Sequence, residues 1–185
     1  MARDFYQLFE TAAGVAAIGW NGVGVTSFRL PAPDARESER SLLNRLPGAA
    51  RVAPPPEVRA VIDMAVRYFA GERIDFTGVP VDPAVQDPAF AGIYRLVRAL
   101  GWGETTTYGA VAQALGHGPE YARDVGQAMA RNPVPLIVPC HRVTAAGGRI
   151  GGFSAPGGAQ SKAAMLELEG VVPAAVAPTQ RGFEF

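Results

Sequence analysis

The sequence has 185 residues, of which 48% are hydrophobic and 18% are charged. This composition allows a buried core, and we expect a soluble globular chain with one medium domain or two small ones. No apolar run approaches the roughly 20 residues that a membrane helix needs, and the N-terminus lacks a signal-peptide pattern, so we expect neither membrane insertion nor export. The 17 basic and 17 acidic residues balance, so overall charge alone does not indicate a nucleic-acid partner.

The first part of the chain carries signals for both strands and helices. Residues 15–20 and 23–29 are β-prone, and the Asn21-Gly22 pair between them is typical of a two-residue hairpin turn. The glycine and prolines at positions 78, 80 and 83 are typical of a linker over residues 74–87. Apolar residues at helical spacing predict helices over 34–46 and 57–70.

The second part of the chain predicts three short helices. Asp87-Pro88 is a helix start, and the threonine run 105–107 can cap the next helix. A short loop over 117–120 precedes a third helix that stops at Asn132-Pro133. Each helix has a predicted apolar face. For the first helix it is Phe90, Ile93, Tyr94 and Val97, for the second Tyr108, Val111, Ala112 and Leu115, and for the third Ala122, Val125, Gly126 and Met129.

The second and third of these helices, joined by a tight turn, predict a helix-turn-helix. An ordinary helical hairpin would give the same spacing. Small residues on the later helix, Ala122, Gly126 and Ala130, allow close approach of a partner, and DNA is one candidate.

Cys140 is the only cysteine of the chain, which has two histidines. A single cysteine excludes an internal disulfide, and this residue set makes a poor zinc site, so we expect no metal. Three prolines within 132–139 predict a rigid, extended segment that presents Cys140. His141 and Arg142 follow directly, and a neighbouring imidazole or positive charge makes a thiol more reactive. The alternative is a buried, inert thiol beside a solvent-facing His-Arg pair.

The run Pro139-Cys140-His141-Arg142-Val143, preceded by Asn132-Pro133, closely resembles the active-site signature of the 6-O-alkylguanine-DNA alkyltransferases, also called methylated-DNA–protein-cysteine methyltransferases. The resemblance extends over about 87–170, through Tyr108-Gly109, Ala122-Arg123 and Val125-Gly126. It implies an α+β protein with two domains. Residues 1–83 would form a small N-terminal ribonuclease-H-like α/β domain with an antiparallel hairpin sheet and linker, and 84–185 a mostly helical domain with the helix-turn-helix.

The resemblance also implies roles for five residues. Cys140 would be the nucleophile that accepts the alkyl group, and His141 would act as its base through a water molecule. Glu169 would orient the imidazole. Asn132 would bridge the helix-turn-helix and the reactive segment, and Tyr108 would crowd the damaged nucleotide and assist protonation of the departing guanine.

DNA contacts and a base pocket are implied in the same way. Arg123 would enter the duplex and fill the gap left by an extruded base. A glycine-rich loop over 147–158 would wall the pocket. The further DNA-binding residues would be Tyr108, Ala122, Gly126 and Arg131, and the pocket residues Met129, Val143, Phe153 and Ser154.

The implied function is repair of alkylated double-stranded DNA by one irreversible transfer from the 6-oxygen of guanine, or the 4-oxygen of thymine, to Cys140. No cofactor and no obligate protein partner is expected, and each molecule would act once, as a monomer. The expected location is the cytoplasm or, in a eukaryote, the nucleus. Four features depart from the family pattern and bear on DNA affinity or pocket size: Asp124, Gln127, Phe153 and the Ala155-Pro156 insertion.

Two other functions use the same residues. A non-catalytic lesion-binding protein of the alkyltransferase-like type would keep the base-flipping arginine and lack the cysteine, so the presence of Cys140 argues against it. A cysteine hydrolase built on Cys140 and His141 would leave the helix-turn-helix without a role.

Overall fold

The computed structural model describes residues 3–172. Its N-terminal part contains a four-stranded sheet in the order β3-β2-β1-β4, antiparallel except where β1 meets β4. The strands are β1 (Phe5–Thr11), β2 (Gly14–Trp20), β3 (Val25–Ala32) and β4 (Ala50–Arg51). We did not predict β1 or β4. Only Tyr6 of β1 is buried, so this strand is defined by its pairing with β2 and not by an apolar pattern of its own.

The hairpin between β2 and β3 is confirmed, but its predicted two-residue turn is wrong. The loop spans 21–24, because the Asn21 side chain accepts hydrogen bonds from the backbone N–H of Val23 at 2.8 Å and of Gly24 at 3.2 Å. A Cβ at Gly24 would lie 2.7 Å from the carbonyl oxygen of Pro80, so only glycine allows this approach. The predicted linker is therefore hydrogen-bonded to the edge of the sheet. The N–H of Val25 donates to the carbonyl of Pro80, and the carbonyl of Val25 accepts from the N–H of Asp82.

Two helices cover opposite faces of the sheet. Successive side chains of β2 point to opposite faces, and those of both faces are buried, so each face needs a covering element. Helix α1 (Ala35–Arg45), capped by the Asp34 side chain, packs over Ala17 with its Leu42. Helix α2 (Pro56–Phe69) belongs to the main core with Ala16 and Ile18 from the other face. Both helices confirm the sequence prediction to within one residue or so at each end.

The C-terminal part is mostly helical, as predicted. All four residues of the first predicted stripe are buried. On the second helix Val111 and Ala112 are buried and Tyr108 and Leu115 are only partly buried, and the Thr107 side chain caps this helix. On the third helix Val125 and Met129 are buried as expected, but Ala122 and Gly126 are only partly buried and Ala128 is buried instead. The elements are α3 (Ala91–Arg98), β5 (Thr106–Thr107), α4 (Tyr108–Ala114), α5 (Ala122–Ala130), β6 (Val143–Thr144) and α6 (Gly158–Leu168).

Helices α4 and α5 pack together across a short 3-10 turn, Pro119–Tyr121, and form the helix-turn-helix. Gly116 ends the α4 region with a φ of +80°, a left-handed conformation that glycine adopts without strain. The last helix, α6, begins at Gly158, where the glycine-rich loop ends.

The segment before Cys140 is a compact turn, so the predicted extended conformation is wrong. The backbone N–H of Val138 donates to the carbonyl of Val134 at 2.9 Å, and Leu136 has a φ of +76°. Leu136 is a non-glycine residue in the left-handed region, which is strained, and its buried side chain holds it there. The prolines stiffen a reversal of the chain and not an extended strand.

One cluster of buried side chains runs through both parts of the chain, from Ile18 and Tyr68 to Ile93 and Cys140. The domain boundary at residue 83 therefore stays a prediction. No helix within residues 3–172 has the length and apolar character needed to cross a membrane.

Candidate active site

Glu169, directly after α6, is the centre of a buried hydrogen-bond network. Its carboxylate lies 2.7 Å from His141 Nε2 and accepts from the Tyr68 hydroxyl at 2.7 Å. Arg142 donates to it in a bidentate manner through Nε and Nη2, both at 2.9 Å. The backbone N–H of Gly103 adds a bond of 3.1 Å. Burial by itself raises the pKa of this carboxyl, but the hydrogen bonds from His141, Arg142 and Tyr68 bring it well below its usual range.

His141 is fully buried, and burial lowers its pKa despite the adjacent Glu169, which raises it. The ring is therefore neutral at pH 7. Because Nε2 faces the carboxylate, it carries the hydrogen, and Nδ1 has the free lone pair. Nδ1 is buried and has no hydrogen-bond partner within residues 3–172. Nδ1 can therefore act as a base and accept a proton.

Cys140 begins a 3-10 turn, Cys140–Arg142, that also carries the histidine and the arginine of the network. Burial raises the pKa of its thiol, while the Asn132 amide and the positive charge of Lys162 lower it. Burial prevails, so the thiol is protonated in the free protein and needs a proton acceptor before it can attack. No hydrogen bond joins the thiol to the imidazole of His141 in the part of the chain described, and the relay through a water molecule stays a prediction.

Asn132 links the end of α5 to the reactive turn. Its side-chain amide donates to the carbonyl of Val138 at 2.8 Å and accepts from the N–H of Val134 at 3.1 Å. Both bonds are buried, so they hold the turn that delivers Cys140 in a fixed relation to the helix-turn-helix.

A cavity of about 470 Å³ opens beside Cys140. Tyr108 at the start of α4, Met129 on α5 and two residues of the glycine-rich loop, Phe153 and Ser154, lie on its walls. The predicted wall residue Val143 does not line it, because strand β6 turns its side chain into the core, where it is fully buried. Lys162 lines the cavity instead.

Lys162 is the only lysine in the chain, and its side chain is buried. Its ammonium donates to the carbonyl of Val143 at 2.6 Å and to the Tyr108 hydroxyl at 3.3 Å. Burial lowers its pKa to about 8, while the thiol of Cys140 opposes that shift. An isolated lysine on a helix is usually solvated, and the one sequence signal that pointed to this residue is that the chain has a single lysine beside 16 arginines.

Replacing Lys162 with methionine is expected to shift the alkylation of Cys140 by iodoacetamide to higher pH, because the variant lacks the positive charge that lowers the pKa of the thiol. Rates are measured over a pH series. Arg149→Met, which removes an exposed cation from the glycine-rich loop, is the matched control. Equal profiles for the two variants would contradict the prediction.

Two members of the buried network were not predicted from the sequence. Tyr68 is fully buried on α2 and binds a carboxylate 101 residues further along the chain. Arg142 faces Glu169, so the alternative of a solvent-facing His-Arg pair is wrong. A buried tyrosine needs a partner for its hydroxyl, and this was the only available sign of its involvement.

The exposed face of α5 carries the predicted DNA contacts. Arg123 is exposed in the first turn, and Arg131 is exposed just after the last, over the ring of Phe90. Between them Ala122 and Gly126 are half-buried, and a Cβ at Gly126 would meet no atom within 4 Å. The helix therefore presents a shallow surface between two cations. Within residues 3–172 no salt bridge joins Arg123 to Asp124.

The chain is similar to known proteins in both sequence and fold. A family model described as the DNA-binding domain of 6-O-methylguanine DNA methyltransferase matches residues 88–171. A methylated-DNA–protein-cysteine methyltransferase of Mycobacterium tuberculosis is 32% identical over 165 residues, 89% of this chain and 91% of that protein. One from Metallosphaera sedula is 42% identical over 104 residues, 56% of this chain, and the match spans only 62% of that relative's length.

Two further similarities extend the comparison. A protein of Thermus thermophilus named DNA base-flipping protein is 40% identical over 122 residues, 63% of this chain and 80% of that one. A solved structure of Mycobacterium tuberculosis OGT in complex with DNA superimposes with a TM-score of 0.72 at 29% identity, covering 92% of this chain and 96% of that chain. The similarity therefore includes the N-terminal sheet as well as the helical part.

Proposed function

This chain belongs to the methylated-DNA–protein-cysteine methyltransferase family, and we propose that it repairs alkylated double-stranded DNA by moving an alkyl group from the 6-oxygen of guanine to Cys140. The observation that carries the proposal is the neutral His141, held by Glu169 and next in sequence to a protonated, buried thiol at the wall of a base-sized cavity. The 4-oxygen of thymine is a second position from which the same chemistry would remove an alkyl group.

The nucleotide must leave the duplex before the reaction. The 6-oxygen lies on the pairing edge of guanine, and the thiol is too deeply buried to reach it within a base stack. Extrusion costs a few kcal/mol, less for a damaged pair. Arg123, which is exposed at the start of α5, would fill the vacated position, and the small residues Ala122 and Gly126 would allow the helix to lie in the minor groove.

The transfer is a displacement at the alkyl carbon. The thiol proton passes, through a water molecule, to Nδ1 of His141, and Glu169 stabilises the resulting imidazolium. The sulfur then forms a bond to the carbon while the bond from carbon to the guanine oxygen breaks. Its electron pair returns to the purine, which takes up a proton with the help of the Tyr108 hydroxyl. The thioether has no good leaving group, so each molecule reacts once, without a cofactor.

The proposal is tested by intact-protein mass after mixing with an equimolar duplex that carries one 6-O-methylguanine. We expect a single methyl transfer, mapped to the peptide that contains Cys140, and no further change with excess DNA. Cys140→Ala should gain no mass while still binding the lesion duplex. An unmodified wild-type protein that still binds the lesion would overturn the transfer.

That last outcome would favour a second candidate, a non-catalytic protein that recognises lesions. The similarity to the Thermus thermophilus base-flipping protein supports it. The buried thiol and its adjacent histidine network would then have no chemical use, which is why we prefer alkyl transfer. We further propose that the protein acts as a monomer without an obligate protein partner, in the cytoplasm or nucleus where DNA is found.

A further inference from the structure

Cys140 borders a second, smaller cavity of about 80 Å³, which Tyr108 and Lys162 do not line. We call it the side cavity. It shares Met129, Ala130, Phe153 and Ser154 with the base pocket, and it extends to Asn132, Pro135, Ala155 and Pro156. Its far wall comes from the N-terminal part, where Arg29 on β3 and Arg45 at the end of α1 line it.

Both arginines are anchored but keep free donors. Arg29 Nη2 donates to the carbonyl of Pro133 at 3.1 Å and to Ser27, and Arg45 Nη2 donates to the carbonyl of Arg131 at 2.8 Å. The Arg29 Nε is buried and has no hydrogen-bond partner within residues 3–172.

The charge of the two guanidinium groups is not balanced by a salt bridge to any carboxylate in the described part of the chain. Glu37 borders the outer groove that Arg29 and Arg45 share with Arg40, but it does not line the side cavity. Burial and the nearby Arg45 lower the pKa of Arg29 to about 10, so Arg29 stays charged at neutral pH. An anionic group in the cavity would relieve the repulsion between the two cations.

The geometry of the displacement gives the side cavity a use. The carbon under attack lies between the guanine oxygen and the sulfur, so any larger substituent must project sideways from that line. The base occupies the larger pocket, and the side cavity is a second space that Cys140 borders. A group the size of a water molecule needs roughly 10–15 Å³ of cavity volume, so a cavity of about 80 Å³ holds a substituent of a few heavy atoms.

We propose that Arg29 and Arg45 make this protein selective for 6-O-alkyl groups that end in a carboxylate, with carboxymethyl as the smallest member. The inference rests on the proposed alkyl transfer. A carboxylate next to the attacking thiolate is repelled by it, and two guanidinium groups at the end of the substituent offset that repulsion. The bonds formed and broken are those of methyl transfer, and the product is S-carboxymethylcysteine at position 140.

The test compares three duplexes, with 6-O-methylguanine, 6-O-carboxymethylguanine and the neutral, equally sized 6-O-carbamoylmethylguanine. Rates come from the alkylated fraction by mass. We expect the wild type to transfer carboxymethyl faster than carbamoylmethyl by about tenfold or more, as for a charged hydrogen bond. Arg29→Gln and Arg45→Gln should each remove most of that ratio.

Arg40→Gln is the matched control, because Arg40 lies in the outer groove and does not line the side cavity. It should keep the wild-type ratio. Each ratio compares two substrates of the same protein, so a loss of folded protein in Arg29→Gln lowers both rates equally and leaves the ratio unchanged. Arg45 is exposed, so Arg45→Gln is expected to disturb the fold less.

A wild-type ratio near one, or an unchanged ratio in both variants, would overturn the inference. Equal losses on all three duplexes would also overturn it, since the arginines would then contact a DNA phosphate. Failure of the wild type to accept methyl would instead overturn the proposed function.

Discussion

Replacing Glu169 with alanine is expected to lower the free energy of unfolding by about 3–5 kcal/mol, the usual cost of removing one partner from a buried ion pair. The substitution leaves the guanidinium of Arg142 buried opposite an empty space. It also removes the carboxylate that accepts from the Tyr68 hydroxyl and from the N–H of Gly103. Alkyl transfer should fall with it, because His141 loses the group that fixes its tautomer.

Urea unfolding measures this loss, with the slope against urea concentration checked for constancy. Glu167→Ala, an exposed glutamate on the same helix, is the matched control and should stay within about 0.5 kcal/mol of the wild type. If both variants lost the same stability, the network would not depend on the carboxylate.

Replacing Arg123 with alanine is expected to slow repair of duplex DNA by about 10- to 100-fold while leaving the reaction with a free 6-O-methylguanine base unchanged. The reason is that extrusion of the nucleotide costs a few kcal/mol, and only the duplex substrate incurs this cost. Arg123 lies outside the cavity that holds the base, so its removal leaves the chemical step intact.

Both substrates are followed by alkylation of Cys140, and Arg95→Ala serves as the control. Arg95 is an exposed arginine on α3, which is not a helix of the helix-turn-helix, and its loss changes the net charge by the same amount. Equal losses on duplex and free base would show that Arg123 is not the residue that replaces the extruded base. Equal effects of the two variants would show that only long-range charge matters.

The helix-turn-helix and the identity of the reactive cysteine could be predicted because their information is local. Apolar residues three and four apart define α3 and α4, and the five residues around Cys140 form a specific signature. The association with Glu169 was expected only through family resemblance. Sequence periodicity gives no information on a contact between side chains 28 residues apart.

The missed features are those that depend on distant parts of the chain. Tyr68 joins the network across 101 residues, and Lys162 reaches Tyr108 across 54. The left-handed conformation of Leu136 contradicts the local preference of leucine and is imposed by packing. The assumption that prolines imply extension failed for the same reason, since a proline fixes φ but not the path that its neighbours follow.

The buried position of the single lysine also governs how this protein can be tagged. Apart from the α-amino group of the chain, Lys162 is the sole aliphatic amine, and its nitrogen is held between the carbonyl of Val143 and the hydroxyl of Tyr108. An acylating dye, an aldehyde or an enzyme that forms isopeptide bonds therefore meets no side-chain amine on the folded surface. Conjugation through lysine needs the base pocket to open, so a lysine-linked label on the folded protein reports that opening and blocks the site at the same time.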